Sequence, residues 1–341
     1  MHTHRLFLWF LAFVLIGGFL RNSAPQDVPP QKIRVEVEMV SLPVVVMTRD
    51  SKRMPGLEKE DFRVYEDKVE QKIEFFSSAD EPFSVLLLLD ASGSTLLRQE
   101  RIQNEAIRFI NRISPRDSVA VITFAQEVRL LEDFTVNRAR AAAAIRRISS
   151  GGFTVLYEAM WLAFREVLPL ARQRSAAVLF TDGVDTASVD ASKAETRELA
   201  KESKSPVYCI YFNTKEEMQR TPPPSAPGRT TLPPIGGIPT ITKADPTGRS
   251  DEDYMGGRQY LSDLADLSGG MVLDALKMED LGPAFDAIVQ QLSSQYSIGY
   301  YPTNAKHDGK YRRIEVKMKR SGLYVQTRQG YYAPYNDPKK K

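Results

Sequence analysis

Residues 83–94 read Phe-Ser-Val-Leu-Leu-Leu-Leu-Asp-Ala-Ser-Gly-Ser, an apolar run that stops abruptly at an acid. Consecutive apolar residues from Val85 to Leu89 call for burial on both faces of a strand, the condition of a central strand in a parallel sheet. Asp90-Ala91-Ser92-Gly93-Ser94 is then a loop at that strand's carboxyl end, the edge of an open α/β sheet where ligands bind. An acid and two hydroxyls in so short a loop form an oxygen donor set that suits a hard cation.

From Phe83 onward, strand and helix patterns alternate. A helix from Leu97 to Ile113 places Ile102, Ala106, Phe109, Ile110 and Ile113 on one face. Strands follow at Ser118–Phe124 and Val128–Glu132, then an alanine-rich helix at Asn137–Ile148 and another starting near Thr154, with Leu156, Met160, Ala163 and Val167 at helical spacing. Strands at Ala176–Thr181 and Val207–Phe212 enclose a helix within Ser192–Ser203. A helix at Arg258–Leu267 leads into Gly269-Gly270-Met271-Val272-Leu273, and a last helix aligns Leu281, Phe285, Ile288 and Leu292. This order predicts an α/β fold: a doubly wound, mostly parallel sheet covered on both faces.

The flanks carry β patterns instead. Ile33, Val35, Val37 and Met39 alternate with charged residues, a second strand is expected at Pro43–Thr48, and Phe62–Tyr65 and Ile73–Phe75 bracket Glu66-Asp67 as a hairpin. Near the other end Tyr296, Ile298 and Tyr300 alternate, as do Ile314, Val316 and Met318. Each set alone has too little apolar area for a stable core, so the two are expected to pack into one small antiparallel β module. Between Thr214 and Gly257, Pro-rich and Gly-rich stretches support neither helix nor strand and predict a mobile insertion.

The expected organisation is therefore 1–24 as an export segment, 25–82 as an N-terminal β segment, 83–293 as the α/β domain with the insertion at 214–257, and 294–341 as a C-terminal β segment. Met1–Arg5 supplies a basic start and Leu6–Leu20 an apolar stretch, which reads as a signal peptide or short membrane anchor and implies an extracytoplasmic location. No acid precedes Asp27, so removing Arg5 and Arg21 lowers the formal charge from +3 to +1. Such balance gives no reason to seek nucleic acid, and a membrane is expected to be contacted only through the N-terminal segment. Cys209 is the only cysteine, and His307 is the only histidine outside the export segment. A histidine-dependent nucleophilic triad and a zinc site of several His or Cys ligands are thereby disfavoured, and no catalytic residue is assigned.

Asp90-x-Ser92-x-Ser94 after one apolar strand, Thr154 after Gly151-Gly152-Phe153, and Phe180-Thr181-Asp182-Gly183 after another apolar strand together resemble a von Willebrand factor type A (VWA) domain, a Rossmann-like fold, over roughly 83–293. Asp61-Phe62-Arg63-Val64-Tyr65-Glu66-Asp67 and Gly299-Tyr300-Tyr301-Pro302 also resemble an exported bacterial "VWFA-related" family of acidobacterial type. The resemblance implies a metal-ion-dependent adhesion site (MIDAS). Ser92 and Ser94 would bind Mg²⁺, or Mn²⁺ or Ca²⁺, through their hydroxyls, Thr154 directly or after a small shift, and Asp90 and Asp182 largely through waters. A carboxylate of a protein partner, an exposed Asp or Glu, would complete the shell. Asp185 sits close by, but reads more simply as a turn or cap residue. Two other readings remain open at this stage: a phosphatase-like hydrolase using Asp90 as acceptor, although Ser92 stands where that pattern wants an acid, and a structural module whose metal site engages nothing.

Overall fold

The computed structural model describes residues 39–50, 52–172, 174–212 and 250–335, all within the unit that runs from Val37. The expected export segment, nearly all of the Ile33–Met39 strand and most of the insertion lie outside the described residues.

Ahead of the α/β domain come β1 (Val40–Thr48), β2 (Phe62–Glu66), β3 (Val69–Gln71) and β4 (Ile73–Ser77). The expected hairpin partner of β2 is corrected here: Glu66 pairs with Val69, so β3 closes the hairpin, while β4 pairs with a strand of another sheet. Asp67 and Lys68 have φ of 48° and 72°. Two successive left-handed residues make the tight turn whose twist suits a two-residue hairpin, and they use up the reversal before Ile73 is reached.

The α/β domain then runs β5 (Phe83–Asp90), α1 (Gln99–Arg112), β6 (Ser118–Phe124), β7 (Val128–Thr135), α2 (Arg138–Arg146), α3 (Leu156–Leu162), β8 (Arg174–Thr181), α4 (Lys193–Glu202), β9 (Val207–Phe212), α5 (Asp251–Ser268), β10 (Met271–Ala275) and α6 (Leu281–Ser293). These strands form one sheet in the order β10-β9-β8-β5-β6-β7, parallel throughout except for the edge strand β7. All eight residues of β5 are buried. Its side chains alternate between two cores: Val85, Leu87 and Leu89 meet Phe109 of α1, Ile145 of α2 and Phe285 of α6, whereas Leu86 and Leu88 meet Met160 of α3 and Leu264 of α5. At about 2 kcal/mol for each fully buried leucine, this strand is a main contributor to the stability of both cores. The expectation of a doubly wound, mostly parallel sheet with a small antiparallel module from the two flanks therefore holds.

Two helix starts differ from expectation. Residues Gly93–Arg98 form a tighter 3₁₀ turn before α1, tied down by Thr95 Oγ1, which donates to the carbonyls of Asp90 and Ser92. Helix α5 begins at Asp251 rather than Arg258, so the last residues of the expected insertion are helical; Ser250 Oγ accepts from Asp253 N while the Asp253 carboxylate accepts from Ser250 N. That reciprocal cap satisfies two donors a helix start would leave unpaired, and it outweighs the adjacent Gly256 and Gly257. The helix from Leu156 also passes into a π turn at Ala163–Val167, with Ala163 and Val167 still buried.

After α6 the chain continues as β11 (Gln295–Tyr300), β12 (Tyr311–Met318), β13 (Leu323–Gln326) and β14 (Gly330–Tyr332). Strands from the two flanks interleave in two antiparallel sheets, β13-β1-β11-β4 and β14-β12-β2-β3. Leu42, Val44, Tyr296 and Ile298 of the first and Phe62, Val64, Ile314 and Val316 of the second share one core. The Tyr296 hydroxyl accepts from Leu57 N at 3.0 Å and donates to Met54 O at 2.8 Å, anchoring the loop before β2.

Candidate metal centre

Strands β5 and β8 are parallel neighbours, with Leu89 opposite Phe180. Their carboxyl ends therefore present Asp90 and Asp182 side by side, and a third loop closes over them. Gly151 N donates to Ala91 O at 2.7 Å, and Gly93 N donates to Gly152 O at 3.0 Å. A Cβ on Gly93 would stand 3.2 Å from that same carbonyl oxygen, so any side chain there would have to push the two laced loops slightly apart. Thr154 is held from the other side: its N donates to Thr186 Oγ1 at 2.8 Å, and its carbonyl accepts from Thr186 N and Ala187 N.

Ser92, Ser94, Thr154 and Asp182 line one small cavity of about 10 Å³, together with Gly93, Gly152, Val184 and Thr186. That is roughly the room one water-sized sphere occupies. The Ser92 and Ser94 hydroxyl oxygens lie 3.0 Å apart, and Asp182 Oδ1 accepts from Val184 N. Thr154 does not spend its hydroxyl as a helix cap, since α3 is capped at Val155 without a side-chain bond. Asp90 lies behind the cavity, only 2% exposed: Oδ1 accepts from Ser92 N at 2.9 Å and Oδ2 from Thr181 Oγ1 at 2.6 Å. Burial, and then the neighbouring Asp182, push the Asp90 carboxyl up to about 7, against the bonds from Ser92 and Thr181.

All five residues singled out in the sequence are thus at one place, four on the cavity wall and Asp90 beneath it. Sequence reasoning assigned no part to Thr181 or Thr186. Thr181 both bonds Asp90 and accepts from Gly183 N, and the only signal for it was a hydroxyl next to the acid at a strand end. Asp185 takes the bland part: it accepts from Tyr157 N, from Ser188 N and from Ser188 Oγ, holding the loop to the start of α3. Behind the loop that bears Asp182, helix α5 presses on Gly183, where a Cβ would come within 2.7 Å of Gly257 backbone.

The donors that meet here are hydroxyl and carboxylate oxygens, which fits a hard divalent cation rather than a thiophilic one. A buried Asp90 carboxyl whose proton affinity is raised by burial and by the neighbouring Asp182 is also what a nearby cation would relieve. Among the described residues no three His, Cys, Asp or Glu side chains gather as a metal cluster.

No curated protein matches the sequence. Among solved structures, the chain is similar to BatB from Bacteroides thetaiotaomicron, at 20% identity over 62% of this chain and 98% of that one, with a TM-score of 0.42. It is also similar to the vWF domain of the type V pili tip protein Mfa5 from Porphyromonas gingivalis, at 12% identity over 62% of this chain and 95% of that one, with a TM-score of 0.43. A third is proximal thread matrix protein 1 from the mussel byssus, solved with a zinc-occupied MIDAS motif, at 15% identity over 65% of this chain and 48% of that one, with a TM-score of 0.46. The family model of the von Willebrand factor type A domain matches residues 85–184, the stretch from β5 through the loop bearing Asp182, and the chain carries a domain of that family.

Proposed function

We propose that this chain is an exported binding protein whose VWA domain holds a divalent cation, Mg²⁺ first among the candidates, and uses it to capture an acidic group on a protein partner. The observation that supports this most is the convergence of Ser92, Ser94, Thr154 and Asp182 on one small cavity, with the Ser92 and Ser94 hydroxyl oxygens 3.0 Å apart. Ser92, Ser94 and Thr154 would hold the ion through neutral oxygens, and Asp90 and Asp182 would balance its charge from close range. Neutral ligands leave much of the ion's charge uncompensated, and that favours a carboxylate arriving from outside. The ion would supply electrostatic attraction only. Export rests on the basic and apolar start of the chain.

Binding is favoured over catalysis by the state of Asp90. Both of its oxygens accept hydrogen bonds and it lies behind the cavity, a poor position for a phosphoryl acceptor. Calorimetric titration of chelator-treated protein with MgCl₂ tests the reading. One ion per chain is expected for the wild type, with affinity lowered about tenfold or more in Ser92→Ala and Thr154→Ala, as loss of a metal ligand does. Equal Mg²⁺ binding by wild type and both variants, or partner capture from an extracytoplasmic fraction that persists in chelator, refutes it.

A further inference from the structure

A second cavity, of about 540 Å³, lies between the end of α4, the loop 302–309 and the segment around β14. Helix α4 starts after the loop bearing Asp182 and runs back to the beginning of β9, so its last turn stands at the opposite edge of the central sheet from the metal centre. The volume is that of a small-molecule site. Its wall is mainly basic: Lys201, Lys204, Lys306 and Arg328 face it against Glu198 and Glu202, and Glu198 is already paired with Lys201 at 2.6 Å.

Arg328 is the member whose polar end is left incomplete. It is 6% exposed and its Nε has no hydrogen-bond partner. Its guanidinium carbon lies 5.8 Å from the centre of the Tyr331 ring, Tyr300, Tyr331 and Tyr311 favour its charge, and burial, the larger effect, pushes its proton affinity down. The buried acid of this region, Glu66, is engaged elsewhere, since Oε2 accepts from Tyr300 at 2.8 Å and from Tyr331 at 2.9 Å. A buried guanidinium with an unbonded donor and no salt-bridge partner among the described residues is costly to a fold, and an anion from outside would lower that cost. Beside it, Tyr331, Tyr332 and Tyr335 line the same cavity, and the Lys201 ammonium sits 4.3 Å above the Tyr332 ring.

We propose that this cavity binds a small organic oxyanion, its phosphate or carboxylate head on Arg328 with Lys204 and Lys306 alongside, and its flat or hydrocarbon body against the tyrosines. A guanidinium presents two parallel donors that match either head, and aromatic faces select a ligand with a body over a bare ion. The metal centre takes no part, so the site stands or falls independently of the proposed capture of a protein partner.

The test is calorimetric and thermal titration of the full chain with phenyl phosphate, benzoate and inorganic phosphate, with phenol as the uncharged control. Phenyl phosphate or benzoate should bind at one site per chain, more tightly than inorganic phosphate, and phenol should not bind; whichever of the two is tighter identifies the head group. Arg328→Met should weaken binding about tenfold or more, while its melting temperature without ligand stays level or rises, because an uncompensated buried charge has been removed. Exposed Lys306→Gln should weaken binding about threefold with no effect on folding, which keeps the test decisive if Arg328→Met folds poorly. The proposal is overturned if none of the anions binds at up to about 10 mM, a range in which even weak sites register. It is equally overturned if phenol binds as well as they do, or if Lys306→Gln and a folded Arg328→Met bind like the wild type.

Discussion

Metal-free protein should lose stability as the pH rises through neutrality, and Asp90 should be the cause. Its carboxyl is pushed up to about 7 in the fold by burial and by Asp182, against 3.8 for an ordinary aspartate. The folded chain therefore keeps a proton that the unfolded chain has already released. The stabilisation this proton gives is complete below the unfolded value and disappears as the pH climbs through the folded one. Between about pH 5.5 and 8 the unfolded state is fully ionised, and integrating the one-proton difference gives a loss of about 2 kcal/mol. Thermal unfolding in EDTA at the two pH values should show a drop of several degrees for the wild type. Asp90→Asn, which cannot ionise, should remove most of that drop, and the difference between the two proteins isolates Asp90 together with its coupling to Asp182. The ion should restore more stability at pH 8 than at 5.5, since below 7 it must first displace the proton. Identical pH slopes for wild type and Asp90→Asn would refute the reasoning.

Two further outcomes follow from the packing. Gly257→Ala places a Cβ about 2.7 Å from the backbone of Gly183, with no flexible side chain to give way; a destabilisation of about 1–3 kcal/mol is expected in denaturant melts, together with weaker Mg²⁺ binding because the Asp182 loop must shift. Tyr296→Phe leaves Leu57 N and Met54 O without their partner in the sandwich; a loss of about 1–3 kcal/mol is expected, with Mg²⁺ affinity unchanged, and a coupled loss of metal binding would contradict the separation of the two regions.

Much of the architecture was legible because burial leaves a local signature. The run from Val85 to Leu89 could only be a strand covered on both sides, and β5 is buried at every position. Alternation in β11 and β12 likewise matched Tyr296, Ile298, Ile314 and Val316 in one core. What was misread depended on contacts far along the chain. Ile73–Phe75 has the pattern of a hairpin strand, but its partner, β11, is remote in sequence, and only the turn at Asp67-Lys68 hinted that β2 had been paired already. Helix α5 begins inside the expected insertion, capped by Ser250 and Asp253, and at Gly257 it is the missing side chain that lets the helix lie against Gly183. At the site, an acid and hydroxyls at strand ends were visible as residue types, whereas the support that Thr181 gives Asp90 is a matter of which way a side chain points across two strands.

The interleaved sheets also constrain the order in which the chain can assemble. Strand β1 has β11 on one side and β13 on the other, with Val40 opposite Tyr300 and Val45 opposite both Gln295 and Gln326. Until that distant stretch has been synthesised, β1 is an apolar ribbon with two bare edges, the kind of segment that seeks any available strand. The α/β domain contains local strand–helix units that can close early, but the sandwich must wait for the last strands to arrive. Such long-range closure is slow, so a chaperone that shields residues 40–48 during synthesis would act at the step where this protein is most exposed to misassembly.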